Sequence, residues 1–207
     1  MANPARTAGD EVGTRALNAA TEIYAKRGWD SLTFDAVARR ARVGKSSLYS
    51  RWPGKKELLR AALSRFDTRM AGVETLPIAQ VLYNHGINMA RQLRSGAGVA
   101  LTRLALDAYN IRELEDLNRE ILQTPRRETV ATLQKRLDSS YGKGIYSADF
   151  MVLTVESVVH GYVFHSHTQP ITALLEQMTK SLIANPVTVS DTRRNSLNGN
   201  APGRLRA

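Results

Sequence analysis

Residues 32–59 read LTFDAVARRARVGKSSLYSRWPGKKELL, and within them Gly44-Lys45-Ser46 carries the three letters that close a nucleotide-binding phosphate loop. Such a loop needs a second glycine five residues earlier, so that consecutive backbone amides wrap the phosphates, and it must follow a strand. The residue five before Gly44 is Arg39, and the segment around it has helical spacing, with Val37, Ala38 and Ala41 on one face. A nucleotide loop is therefore excluded. What remains is a short helix capped by Thr33 with Asp35 in its first turn, a three-residue break at Arg42-Val43-Gly44, and a very short helix over about 45–50. Trp52-Pro53-Gly54 ends it. A helix, a tight turn and a short second helix form the arrangement in which the second helix enters the major groove of DNA. Val37, Ala38, Val43 and Leu48 are its expected core. Lys45, Ser46 and Ser47 lie in the first turn of the inserted helix, and Tyr49, Arg51 and Lys55 are spaced to hold the sugar-phosphate backbone at its far end. Arg42 and Ser50 complete the expected DNA-contacting set.

Working outward, Ala16, Leu17, Ala20, Ile23 and Tyr24 recur at helical spacing up to Gly28, which gives a first helix after a flexible start over residues 1–10. A helix from about Lys55 has Leu58, Leu59, Ala62, Leu63 and Phe66 on its core face. Helical spacing continues at about 77–95, 98–110 and 113–139, followed by the Gly-containing loop SSYGKGIYS. The segment 147–167 is apolar on nearly every side, as for a helix buried between a core and a partner, and another helix follows over about 170–184. The fold class is all-α. The expected organisation is a DNA-binding domain over 11–69, with the helix-turn-helix at about 34–53, a helical body over 70–184 and a disordered basic tail over 185–207.

The charge has the same division. The net charge is +10; residues 1–69 carry 14 Lys and Arg against 7 Asp and Glu, residues 70–184 carry 11 against 11, and the tail from 185 carries 4 against 1. A basic N-terminal module on a neutral body points to a polyanion-binding unit. The 207 residues, 43% hydrophobic, suffice for a real core, and the absence of cysteine excludes disulfides, thiolate nucleophiles and cysteine zinc sites. MANPARTAGDEVGTR lacks the apolar core of a signal peptide, and FMVLTVESVVHGYVF is short and interrupted by Glu156 and His160, so the chain is expected to be soluble and cytoplasmic, with no membrane partner.

The stretch from Leu32-Thr33 to Leu59 resembles the DNA-binding domain of the TetR family of bacterial transcriptional regulators. The features that carry the resemblance are the hydrophobic residue and Thr, the V-A-x-x-A helix, Leu48-Tyr49, Arg51-Trp52 and Lys55 to Leu58 at fixed offsets, within coverage of about 11–69. The resemblance implies that Thr33 caps the second helix near a phosphate, that Lys45 to Ser47 face bases or phosphates, that Tyr49 contacts phosphate, and that Lys55 meets the backbone. It departs from the family pattern at two positions. Position 42, often glycine because it ends a helix in a left-handed conformation, is Arg, a cost of about 1 kcal/mol if that conformation is kept. Glycine stands instead at 44, where many members have Ser.

The resemblance also implies a homodimeric, ligand-responsive repressor on a near-palindromic DNA operator, released by a small-molecule inducer; activation or architectural binding is the alternative. It places the dimer interface on the last two helices, at Val155, Val159, Leu174, Leu175, Met178 and Leu182. Tyr83, Met89, Tyr109, Met151, His160 and Phe164 are the candidate lining of a ligand cavity, although apolar residues at helical spacing are core by default. His165 and His167 point about 200° apart on a helix and cannot chelate from one face; His160 and His167, seven apart, share a face, but no carboxylate stands at a chelating offset beside them, so no metal and no other cofactor is expected. No nucleophile with a base at recognisable spacing and no Gly-rich cofactor loop supports an enzyme. RELEDLNREIL is expected to be a solvated helix face with i,i+4 pairs.

Overall fold

The computed structural model describes residues 4–165 and 168–186, and every regular element among them is helical. The tail beyond 186 and His167 lie outside the described residues. Helix α1 runs Pro4–Arg27, so it starts earlier than the spacing alone places it. It is followed by α2 (Phe34–Ala41), α3 (Lys45–Tyr49), α4 (Lys55–Leu63), α5 (Ile78–Leu93) and α6 (Gly96–Asn110). A 3-10 turn at Arg112–Leu114, α7 (Glu115–Asn118), a π turn at Arg119–Gln123 and α8 (Thr124–Tyr141) follow without a break; α9 (Ala148–Phe164) and α10 (Ile171–Ala184) close the described chain.

The spacing predicts one helix over 113–139, whereas the structure widens it into the π turn before Pro125. Proline has no N–H for the carbonyl four residues earlier, and its ring crowds that oxygen. The carbonyl concerned belongs to Ile121, and Thr68 Oγ1 donates to it at 2.9 Å.

The polypeptide forms two compact units: Met1–Arg69 with Asn88–Arg127, and Met70–Ile87 with Glu128–Ala207. The sequence-based boundary at 69/70 thus leaves out residues 88–127, which return to the helix-turn-helix. In the first unit a single buried cluster joins Tyr24, Leu32, Val37, Leu48, Leu58 and Leu63 to Leu104, Leu114 and Leu117. The acids of the RELEDLNREIL stretch contribute to this unit rather than facing only solvent. Asp116 pairs with Lys56 at 2.7 Å and Glu120 with Arg60 at 2.9 Å, tying α7 and the π turn to α4. Lys56 beside Asp116 holds that carboxyl below its ordinary range.

In the second unit α5, α9 and α10 meet at Gly86, where a Cβ would come 2.6 Å from Leu175 Cδ2 and 3.2 Å from Val155 Cγ1. Only glycine lets the three helices approach this closely. Tyr146 donates its hydroxyl to the Ile183 carbonyl at 2.5 Å, fixing the start of α9 to the end of α10. Among the described residues no helix is long and apolar enough to cross a membrane.

Candidate DNA interface

The turn between α2 and α3 is built as the sequence requires. Thr33 is extended and its Oγ1 accepts from Ala36 N at 3.1 Å, satisfying one free amide of α2. At the other end Arg42 is left-handed, with φ 55° and ψ 51°, the one non-glycine residue of positive φ among the described residues. Val43 N then donates back to the Ala38 carbonyl at 3.1 Å. Gly44 has φ −68° and ψ 140°, which any residue adopts. The glycine has therefore not moved the left-handed turn from 42 to 44; the chain keeps it at 42 and fills it with arginine. Left-handed backbone costs an L-residue about 1–2 kcal/mol. Arg42→Gly is accordingly expected to raise the thermal midpoint by about 2–4 °C, for a gain near 1 kcal/mol. It should also weaken DNA binding several-fold if the guanidinium contacts DNA. A melt and a binding isotherm on the same protein measure both.

Leu48 is fully buried, and Val37 and Ala38 are buried beneath it; Val43 is half-buried at the edge. These side chains fix α3 against α2, which leaves Lys45, Ser46, Tyr49, Ser50 and Arg51 exposed on the outer face and Ser47 half-buried. Tyr49 is 61% exposed, yet its ring is held by Phe34 at a centroid separation of 4.5 Å. Ser50 Oγ donates to the Ser47 carbonyl at 3.2 Å, so part of its hydrogen-bonding capacity is used locally. Lys55 does not point freely outward. Its Nζ lies 4.0 Å from the Trp29 ring centroid and donates to the Trp29 carbonyl at 3.4 Å, clasping the start of α4 to the loop after α1.

The basic residues divide according to their partners. Arg40 is held by Glu22 in a two-pronged contact at 2.6–2.9 Å, and Lys26 joins the same carboxylate at 2.9 Å. Lys26 and Arg40 together keep the Glu22 carboxyl below its ordinary range. Lys45 pairs with Asp35 of α2, which holds its ammonium above the usual lysine range. Arg39, Arg42 and Arg51 are exposed and have no acidic partner among the described residues. Arg39 is a candidate contact that the sequence reading leaves out. Nothing local separates it from Arg40; only the reach of Arg40 to Glu22, 18 residues away, does.

Residues 16–62 match the family model described as bacterial regulatory proteins, tetR family. Over 183 residues the chain is 30% identical to the HTH-type transcriptional regulator AqdR of Rhodococcus erythropolis, covering 87% of each protein. The chain belongs to the TetR family. It is a DNA-binding regulator of transcription. It is also 26% identical over 150 residues to the uncharacterised HTH-type transcriptional regulator YdeS of Bacillus subtilis, 72% of this chain and 74% of that one. A crystal structure of a TetR-family regulator from Rhodococcus sp. shares the fold at a TM-score of 0.62 and 16% identity, over 86% of this chain and 100% of that one.

In this TetR-family member the candidate cavity residues differ in burial and fall in both compact units. Tyr109 is 75% and Phe164 64% exposed, while Met151 is buried in the core of the second unit. Met89 and Tyr109 fall in the first unit, and Tyr83, Met151, His160 and Phe164 in the second. His160 Nδ1 lies 2.9 Å from the Glu156 carbonyl oxygen, and its ring stacks on Phe164 at 6.3 Å. An open groove of about 300 Å³ lies elsewhere, between α1 and the start of α6, lined by residues that include Thr21, Ala25, Phe66 and Val99.

The expected interface set also divides. Val155, Val159 and Leu175 are wholly buried within the chain and present nothing to a partner; Val155 and Leu175 fill the contact of α9 and α10 with α5 at Gly86. Leu174, Met178 and Leu182 are half-buried. The exposed apolar face of α9 is a different stripe, Phe150, Leu153, Ser157, Gly161 and Phe164, with Leu153 53% exposed. The helix is apolar all round, so periodicity could not tell its inward face from its outward one.

Proposed function

We propose that this TetR-family member is a homodimeric, ligand-responsive repressor that binds a near-palindromic operator through α3 and is released by a small molecule. The observation that carries the reading is the helix-turn-helix surface: Arg39, Arg42 and Arg51, exposed and without an acidic partner among the described residues, together with Thr33, Tyr49 and the serines, on elements locked by a continuous core. Phosphate contacts hold the protein in register and a few side chains on α3 read base edges. One five-residue recognition helix covers too little DNA for high specificity, so a two-fold pair is expected. Repression requires only that the dimer cover promoter DNA, whereas activation needs a further surface for a second protein.

The exposed stripe Phe150, Leu153 and Phe164 of α9, and the half-buried Leu174 and Met178 of α10, support α9 and α10 as the dimer surface. The small residues Ser157 and Gly161 between the aromatic ends allow close approach; a Cβ at Gly161 meets nothing within 4 Å. Both α5 and α8 contribute residues to each compact unit, which gives covalent continuity between the operator-reading part and the rest. A ligand that favours a recognition-helix spacing away from about 34–36 Å weakens DNA binding by the factor by which DNA weakens ligand binding.

Leu153→Glu tests the dimer reading. The side chain is already half in solvent, so the fold should survive, and light scattering should report a monomer with at least roughly tenfold weaker binding to an inverted repeat. An intact dimer would remove this face of α9 from the interface. The ligand-responsive part is tested by a thermal-shift screen of small molecules followed by operator competition. Ligands that stabilise the protein but leave operator affinity unchanged would contradict it.

A further inference from the structure

Between Thr33 and Lys55 the chain carries six basic residues and a single acid, Asp35. Asp35 sits in the first turn of α2 and its carboxylate meets the Lys45 ammonium at the start of α3, with both side chains more than half exposed. Phe34, its neighbour, packs on Tyr49, so the start of α2 lies against the recognition helix on the side that carries the candidate DNA contacts. A carboxylate there is repelled by every phosphate and cannot bond to one, because phosphate oxygens only accept. The donors that DNA offers in the major groove are the exocyclic amino groups of cytosine and adenine.

We propose that Asp35 is a specificity-determining residue: its carboxylate accepts from a base amino group, cytosine N4 or adenine N6, while Lys45 beside it donates to a neighbouring base acceptor. This rests on the helix-turn-helix reading of DNA given above. A guanine-cytosine pair presents the O6 and N7 acceptors next to the N4 donor, the complement of a paired ammonium and carboxylate. The same carboxylate penalises wrong sequences. Where no amino group meets it, it remains beside phosphates, and Lys45 remains neutralised and releases no counterion.

The test is selection of DNA from a random pool by the full chain and by Asp35→Ala and Asp35→Asn, with binding to random DNA measured across salt. The wild type should enrich cytosine or adenine at one symmetry-related position, the enriched base showing which amino group is read. Asp35→Ala should lose that preference roughly tenfold. It should also bind random DNA about fivefold more tightly, with a salt slope steeper by about one unit. Asp35→Asn keeps an acceptor oxygen but adds donors, so it should keep part of the preference while sharing the steeper slope. An Asp35→Ala protein with wild-type base preference overturns the inference, as does equal weakening on all sequences together with a lowered melting temperature, the result of a purely helix-stabilising role. If the wild type itself enriches no sequence, operator reading fails and this inference falls with it.

Discussion

Leu48→Ala is expected to cost about 2–5 kcal/mol of stability and to bring operator binding down to the level of random DNA, a loss of at least about a thousandfold. Leu48 is the one fully buried side chain of α3, a helix of five residues. A helix that short has no stability of its own. Its orientation depends on Leu48 packing under α2 and α4, and its exit on the Leu48 carbonyl, which accepts from Arg51 N at 3.0 Å and Trp52 N at 2.9 Å. Removing the side chain leaves a cavity at the place where the recognition helix is aimed. Urea unfolding and anisotropy on labelled DNA measure the two effects. Near-wild-type values for both would mean that α3 is held by something other than this core.

Gly98→Ala is expected to be the most disruptive single-methyl change in the first unit. A Cβ at 98 would overlap the carbonyl of Gln92 and come 2.7 Å from Leu93 N, both backbone groups at the end of α5. The corner cannot open easily, because Ser95 fixes it from both sides: its Oγ donates to the Gln92 carbonyl at 2.7 Å and accepts from Gly98 N at 3.1 Å. Overpacking against mobile side chains costs about 1–3 kcal/mol, and against fixed backbone the upper end applies, a fall of roughly 10 °C in thermal midpoint. Gly96→Ala is the control: nothing lies within 4 Å of its Cβ, and the midpoint should stay or rise slightly. Equal effects at 96 and 98 would contradict the close approach of α5 and α6.

The local elements of the helix-turn-helix were legible because each is set by neighbours in sequence. Thr33 caps within three residues, Gly28 ends α1 with φ 78°, and Trp52-Pro53-Gly54 separates α3 from α4. The sequence leaves open whether position 42 keeps the left-handed turn with arginine there or gives it up to Gly44; the backbone at Arg42 and Gly44 decides for 42. The features that escaped are tertiary. That Lys45 is engaged by Asp35, that Lys55 lies over Trp29, and that Asp116 and Glu120 pair with α4 depend on side chains brought together from separate helices. The return of 88–127 to the first unit is of the same kind: Arg103 Nε donates to the Ala25 carbonyl at 3.2 Å across 78 residues. In α9 the pattern failed for another reason. A helix of Met151, Val152, Val155 and Val159 on one side and Phe150, Leu153 and Phe164 on the other has apolar residues on both faces, and only packing shows that the first set is core.

A half-buried pair in the second unit had no sequence signal either. His85 Nε2 of α5 lies 3.4 Å from Glu156 Oε1 of α9, with both side chains mostly shielded. His160, His165 and His167 are close in sequence and stand out by spacing, whereas His85 gains its partner only when α5 and α9 pack.

The central claim, that paired helix-turn-helix surfaces read two half-sites, is tested most directly by hydroxyl-radical footprinting of the wild-type protein on an operator selected from random DNA. The expected result is two equivalent protected stretches, related by the two-fold of an inverted repeat and centred one helical turn, about 10–10.5 base pairs, or a multiple of it apart, both lost in Leu48→Ala. A single protected stretch, or protection that survives in Leu48→Ala, would contradict it.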